Sequence, residues 1–367
     1  MKIAIDTHSL NNEKWAGKEK YVNNLIRELT VIDKENQYYL YLKEDITLKL
    51  SCNFKKKIIK FSSILWHFIA VFDLLFLKPD VYLSPTSYIV PALKISTPTI
   101  VVIHDLVSFI MPNRHNKKAK ILEKIFMKIA CKRAKFIITV SENTKKDLIN
   151  FFNIKSNKIF VIPEAPDYNF RAIEDGVGIN KVLTKYNLSN NFILSVGTLE
   201  PRKNLVRLIE AYKNLVDMGL SKYKLVIVGK KGWYYEEIFK KAKQLNIEKN
   251  IVFLGYVSDS DLNCLYNTAK CFIYPSLYEG FGLPVLEAMM CGCPVVASNN
   301  SSLPEVVGKA GILFDPCNTD DIREKLYKIL TNDSLIKEMQ KKGIEQIKFF
   351  SWYFTAIEIL KKIESIK

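Results

Sequence analysis

Three groups of residues in this 367-residue sequence have the types and spacing to do chemistry. The densest is 274–297, YPSLYEGFGLPVLEAMMCGCPVVA, where Glu279 and Glu287 stand eight residues apart around a Gly280-Phe281-Gly282 turn. Leu283 to Met289 reads as the first turns of a helix, with Pro284 near N1, where its missing N–H costs nothing. The glycine turn then delivers free amides to a helix N-terminus, which is a natural anion site. Glu279 lies before that terminus and Glu287 roughly one to two turns inside it. Such a pair suits two hydroxyl-bearing parts of one elongated ligand. The second group is GTLEPRKNL, in which Gly197 and Thr198 make a turn and Arg202 and Lys203 precede a helix capped by Asn204. Arginine offers a planar fork and lysine a point charge, and together they suit a diphosphate. The third is His104, followed by Asp105, at the end of the apolar run Val101-Val102-Ile103.

The elements that must position these groups alternate strand and helix. Strand patterns fall at 2–6, 38–42, 81–83, 100–103, 136–140 and 160–162, with a helix from about Glu19 to Leu29. Composition then loosens through Pro163, Pro166, Asp175, Gly176 and Gly178. A second series follows at 192–196, 225–228, 251–254, 271–274, 294–297 and 312–314. This alternation predicts an α/β protein of two doubly wound, parallel-sheet domains, with ligands at the carboxyl ends of strands. The length suits two full cores. The expected division is a first domain at 1–170, a linker at 171–190, a second domain at 191–348 and a terminal helix at 349–367.

Hydrophobic residues make up 48% and charged residues 25%, which excludes a disordered chain. The seven cysteines show no C-x-x-C pair or zinc spacing, so they read as reduced structural thiols. The opening MKIAID enters a strand directly, and the expected location is cytoplasmic. Phe61 to Leu77 is apolar but interrupted by His67 and Asp73, and reads as a buried helix. The net charge is +16, and nine basic residues lie between Met111 and Lys135 against Glu123 alone. On a helix Lys117, Lys120, Lys124, Lys128 and Lys132 form one stripe, and Ile121, Leu122, Ile125, Phe126 and Ile129 another. The segment 116–135 could dock on an anionic membrane surface, or simply pack on its own domain. Nucleic acid is the weakest reading, because no binding motif accompanies the charge.

The 279–296 pattern, E-G-F-G-L-P-V-L-E-A-M-M-C-G-C-P-V-V, closely resembles the signature of the retaining, nucleotide-sugar-dependent glycosyltransferases of family 4, the group 1 glycosyltransferases. The resemblance implies a GT-B architecture: two Rossmann-like domains facing across a cleft, the first for the acceptor and the second for the donor, with the last helix crossing back to the first. It implies transfer of a hexose from a UDP- or GDP-sugar to a glycan or lipid-linked acceptor in surface polysaccharide synthesis, at the inner face of the membrane, with no metal or other cofactor. It assigns Arg202 and Lys203 to the diphosphate, Glu287 to the ribose hydroxyls, Glu279 to the donor sugar and its phosphate side, and His104 to the neighbourhood of the transferred sugar. Gly197, Gly280, Phe281, Gly282 and Leu283 complete the donor loops. Relatives carry G-x-G in the first loop. Here Ala16-Gly17-Lys18-Glu19 keeps Gly17 for close approach to phosphate, Lys18 adds charge, and Glu19 replaces the second glycine. Ser141 reads as an N-cap. Asp259-Ser260-Asp261 spells the metal triplet of another transferase fold, but Ser258 as an N-cap explains it. The rival readings are a sugar phosphorylase or epimerase on the same fold, and a non-catalytic membrane-associated subunit.

Overall fold

The computed structural model describes residues 1–11, 17–61, 63–93, 95–111, 117–173 and 176–366. Ala16, Arg114, Asn116 and Asp175 of the sequence reading lie outside them, as do the side chains of 117–120 and Leu122. The chain forms two compact units, Met1–Ala165 with Ser351–Lys367, and Pro166–Phe350.

In the first unit seven parallel strands, β1 (Lys2–Asp6), β2 (Gln37–Leu42), β3 (Phe54–Ile58), β4 (Val81–Ser84), β5 (Thr99–Ile103), β6 (Phe136–Thr139) and β7 (Ile159–Val161), lie in the order β3-β2-β1-β4-β5-β6-β7. All five residues of β5 are buried, as expected of a strand covered on both faces. The connections carry α1 (Gly17–Ile32), α2 (Ser63–Leu77), α3 (Ile89–Ala92), α4 (Val107–Ile110), α5 (Lys117–Arg133) and α6 (Glu142–Phe152). The edge strand β3, Phe-Lys-Lys-Lys-Ile, was not expected. Its lysines hide the apolar signal, and charge on an edge discourages further strand pairing.

The second unit repeats the plan with β8 (Phe192–Val196), β9 (Lys224–Val228), β10 (Ile251–Gly255), β11 (Cys271–Tyr274), β12 (Val295–Ser298) and β13 (Ile312–Phe314), in the order β10-β9-β8-β11-β12-β13. Its helices are α7 (Gly176–Lys185), α8 (Leu205–Leu215), α9 (Glu236–Gln244), α10 (Asp259–Thr268), α11 (Leu283–Met290), α12 (Leu303–Val307), α13 (Thr319–Leu330) and α14 (Asp333–Gln346). The last helix, α15 (Trp352–Glu364), belongs to the first unit and packs on α1. Both sheets reverse strand order, at β1/β4 and at β8/β11, and such switch points open ligand crevices at the carboxyl edge.

Two segments differ in detail from the sequence reading. The segment 171–190, read as a linker, contains a helix: Gly176 opens α7, whose Val182 and Leu183 are buried and which packs against α10. Helix α2 is not buried all round, since five large apolar side chains on one side of it face solvent.

Candidate active site

In the second unit the groups after β8 and β11 converge. Glu279, 8% exposed, receives Lys203 Nζ at 2.6 Å on Oε1 and the Arg202 guanidinium at 2.7 Å on Oε2. Lys203 Nζ also donates to Tyr274 Oη at 2.6 Å and lies 4.7 Å from the centre of that ring. Arg202 is held from its other side by Glu200, with Nε at 2.9 Å, and by the Tyr278 carbonyl at 2.8 Å. Burial would raise the Glu279 carboxyl, but Lys203 and Arg202 outweigh it and bring the pKa down to about 2. Burial draws Lys203 down, while Glu279 pulls it back up. Glu279 and Glu200 raise Arg202 despite its own burial. The two cations thus face two carboxylates, and the four formal charges cancel. What the cluster offers an incoming anion is aimed N–H groups rather than net charge.

Three glycines make this packing possible. A Cβ on Gly197 would lie 3.0 Å from Lys203 Cε, so glycine leaves the lysine its channel. Gly229, after β9, has φ +155°, and a Cβ there would fall 1.9 Å from the Gly197 carbonyl oxygen. Gly282 is the residue before α11, with φ +125°, and a Cβ would meet Leu303 at 2.8 Å. Among the described residues the amides of Phe281 and Gly282 make no hydrogen bond, which leaves donors at the helix N-terminus for an anion. Gly280 and Phe281 are buried and Leu283 is half-buried. Glu287 sits inside α11, buried, and accepts from Tyr266 Oη at 3.3 Å. Asn204 does not cap α8 with its side chain: its backbone is left-handed and its amide donates to the Pro316 carbonyl at 2.7 Å.

In the first unit His104 follows β5 and is 8% exposed. Its Nδ1 lies 2.7 Å from Glu164 Oε1 and its Nε2 2.8 Å from the Pro85 carbonyl oxygen, so both ring nitrogens face acceptors. Tyr21 of α1 stands edge-on to the imidazole at 4.7 Å, and Trp352 of α15 edge-on to Tyr21 at 5.3 Å. A second polar cluster lies at the β1/β4 switch point. There Asp6 accepts from His8 Nδ1 at 2.6 Å and Tyr82 Oη at 3.1 Å, and His8 packs beside His67 and Trp66. Helix α1 opens at Gly17, so Gly17 and Lys18 present amides at its N-terminal end. A Cβ on Gly17 would meet nothing within 4 Å. Ser141 caps α6 by accepting from Thr144 N at 3.0 Å. Ser258 caps α10, and Asp261 is bound by Lys185 at 2.7 Å and Tyr186 at 2.6 Å.

Residues 181–346 match the family described as Glycosyl transferases group 1, and residues 49–169 match Glycosyltransferase Family 4. The chain is 38% identical over 279 residues to the O-antigen chain mannosyltransferase B of Escherichia coli, covering 75% of this chain and 71% of that one. The chain belongs to the family 4, group 1 glycosyltransferases. A second relative, the serotype-specific mannosyltransferase WbdA of Escherichia coli, is 35% identical over 73% of this chain, which spans only 33% of its length. The structure of a sucrose-phosphate synthase from Thermosynechococcus elongatus superposes with a TM-score of 0.80 at 17% identity, covering 100% of this chain and 98% of that one, and shows the shared fold.

As a family 4 glycosyltransferase, the chain places Glu279, Arg202, Lys203 and Gly197 in one cluster at the β8/β11 switch point, with the Gly280–Leu283 loop continuing from Glu279 into α11. His104, Gly17 and Lys18 belong to the other unit. Sequence reasoning missed Glu200, Gly229, Glu164 and the Asp6–His8 pair. The signal for Gly229 is a glycine directly after the apolar Lys224–Val228 strand, the same arrangement that marked Gly197. Glu164 gives no local signal, because its partner His104 lies 60 residues away; Asp6 and Glu200 have partners two residues on, but spacing alone does not say that the side chains meet.

Proposed function

We propose that this glycosyltransferase moves a hexose from a nucleoside diphosphate sugar to a glycan or lipid-linked acceptor in surface polysaccharide assembly, with retention of anomeric configuration. The second unit binds the donor and the first the acceptor. The mannosyl activities named for the two Escherichia coli relatives favour mannose as the transferred sugar. The observation that carries the reading is the buried Lys203–Glu279–Arg202 cluster beside the open amides of Phe281 and Gly282. Glu279 fixes the two cations, and their remaining N–H groups, with those amides, meet the departing diphosphate without a metal. Glu287 takes the ribose hydroxyls and His104 the region of the transferred sugar. A carboxylate held near 2 with both oxygens engaged is a poor nucleophile. The reading is therefore front-face transfer, in which the acceptor oxygen bonds to the anomeric carbon as the bond to the diphosphate breaks, and the hydroxyl proton passes to the departing phosphate oxygen. The catalyst works on the inner side of an anionic membrane.

Thermal shifts with UDP, GDP and ADP, each with magnesium or chelator, test the donor site. One nucleotide stabilises the protein by roughly 2.7 kcal/mol at about a hundredfold excess over its Kd, insensitively to chelator, and Glu287→Ala removes the shift. No shift with any nucleotide overturns the donor assignment, a chelator-sensitive one overturns the metal-free reading, and a glycosyl adduct on Glu279 overturns front-face transfer.

A further inference from the structure

Helix α2 is apolar on both sides, and only one side is covered. Trp66, Ala70 and Leu74, at helical spacing, are buried on Ala4, Tyr39, Tyr41 and Tyr82 of the sheet. On the opposite side Leu65, Phe68, Phe72, Leu75 and Phe76 are each between 47% and 72% exposed, with the last two aromatic rings edge-on at 5.0 Å. A surface helix ordinarily carries polar residues there. Single exposed hydrophobics need no explanation, but a contiguous stripe with three phenylalanines marks an interaction surface.

The charge around the stripe selects the partner. Between Lys43 and Lys78 there are seven lysines against the acids Glu44, Asp45 and Asp73. Asp45 is bound by Lys56, and Asp73 by Lys57 and Tyr41. Lys60 and Lys78 are exposed at the two ends of α2. Tyr82, beneath α2, pairs with Thr99, two residues before Val101, which lies beneath α5. The two helices therefore cover the same face of the sheet, with α3 packed against both. Met127, Ala130 and Cys131 bury the inner side of α5, while Ile121 and Ile125 stay 59% and 49% exposed, near Lys124 and Lys128.

We infer that the outer side of α2, extended by the exposed part of α5, docks on an anionic lipid bilayer. The Phe68–Phe72–Phe76 stripe enters the boundary between headgroups and acyl chains, and the flanking lysines lie over the anionic headgroups. A second copy of the chain fits poorly, because it would set one lysine-rich surface against another. The inference deepens the acceptor half of the proposed function and moves the main membrane contact from 116–135 to α2.

Flotation of the full chain with vesicles of phosphatidylcholine alone, or of phosphatidylcholine and phosphatidylglycerol in equal parts, tests it. The unaltered protein floats with the anionic vesicles and not with the neutral ones. Phe72→Glu/Phe76→Glu weakens binding by about tenfold or more while the melting temperature stays put, and Lys60→Glu/Lys78→Glu weakens it by less. Failure of the unaltered protein to float, or equal flotation of the phenylalanine variant, overturns the inference. So does a dimer in sedimentation that this variant dissolves, which would give the surface to a second copy. Nucleotide-induced thermal shifts on the same samples keep the two questions apart: a retained shift without flotation removes only the docking, and flotation without a shift removes only the donor site.

Discussion

Glu279 is the residue on which the local electrostatics turn, because it forms ion pairs with both Lys203 and Arg202. Its carboxyl titrates near 2 in the fold against an ordinary 4.5. A lowered folded pKa contributes stability that is complete above the unfolded value and is lost as pH falls toward the folded one. The contribution is about 3 kcal/mol. Glu279→Gln keeps the shape, but leaves Lys203 without an anionic partner and Arg202 with Glu200 alone, at a cost of about 3–5 kcal/mol near neutral pH. Melting temperatures against pH should show the variant well below the parent at about pH 7, with the gap closing between about pH 4.5 and 2. A gap that stayed constant across that window would mean that the carboxylate charge is not what holds the cations. These three candidate residues stood out in the sequence because each lies in a short contiguous motif. Glu200 was not, although it is two residues from Arg202, because nothing in the spacing says which way its side chain turns. Asn204 misled for the same reason: its residue type suits a cap, but the carbonyl of Pro316, 112 residues away, takes its amide.

At the scale of elements, the strands were legible wherever they are buried on both faces, since a central parallel strand reads as an unbroken apolar run. Edge strand β3 and helix α7 were not. The first is lysine-rich, and the second carries two glycines in its opening turn, which resemble a linker. The carboxyl ends of β8 and β9 approach so closely that Gly229 is the only residue type that fits there. Gly229→Ala would drive its Cβ into the Gly197 carbonyl, and any retreat of Gly197 closes the channel of Lys203. We expect a loss of about 2–4 kcal/mol and at least a partial loss of the donor-nucleotide shift. Gly17→Ala, placed where a Cβ meets nothing within 4 Å, is the matched control and should leave the melting temperature within about a degree or two. If Gly229→Ala melts and binds like the parent, the two strand ends must be able to separate without disturbing the lysine.

At the scale of the whole molecule, the chain leaves the first unit at Ala165, builds the second, and returns at Ser351 to finish the first. The return is a packing requirement. Trp352, Ala356, Ile359 and Ile363 of α15 are all buried, and Trp352 stands against Tyr21, the residue that walls His104. The helical pattern at the end of the sequence was legible from its own residues, and its return to the first unit was expected from the family resemblance; in the structure it packs on α1. The first unit thus depends on residues made last, whereas the second is continuous in sequence. Trp352→Ala should therefore lower the stability of the first unit by about 3–5 kcal/mol through the cavity beside Tyr21, while the second still answers its nucleotide. Calorimetry and limited proteolysis read the two separately: the expected result is an earlier transition with cleavages confined to 1–165 and 351–367, and a later transition that the donor nucleotide still raises. A single transition that moved as a whole, with the nucleotide shift lost, would instead mean that the two units melt as one cooperative body and that the donor site depends on α15.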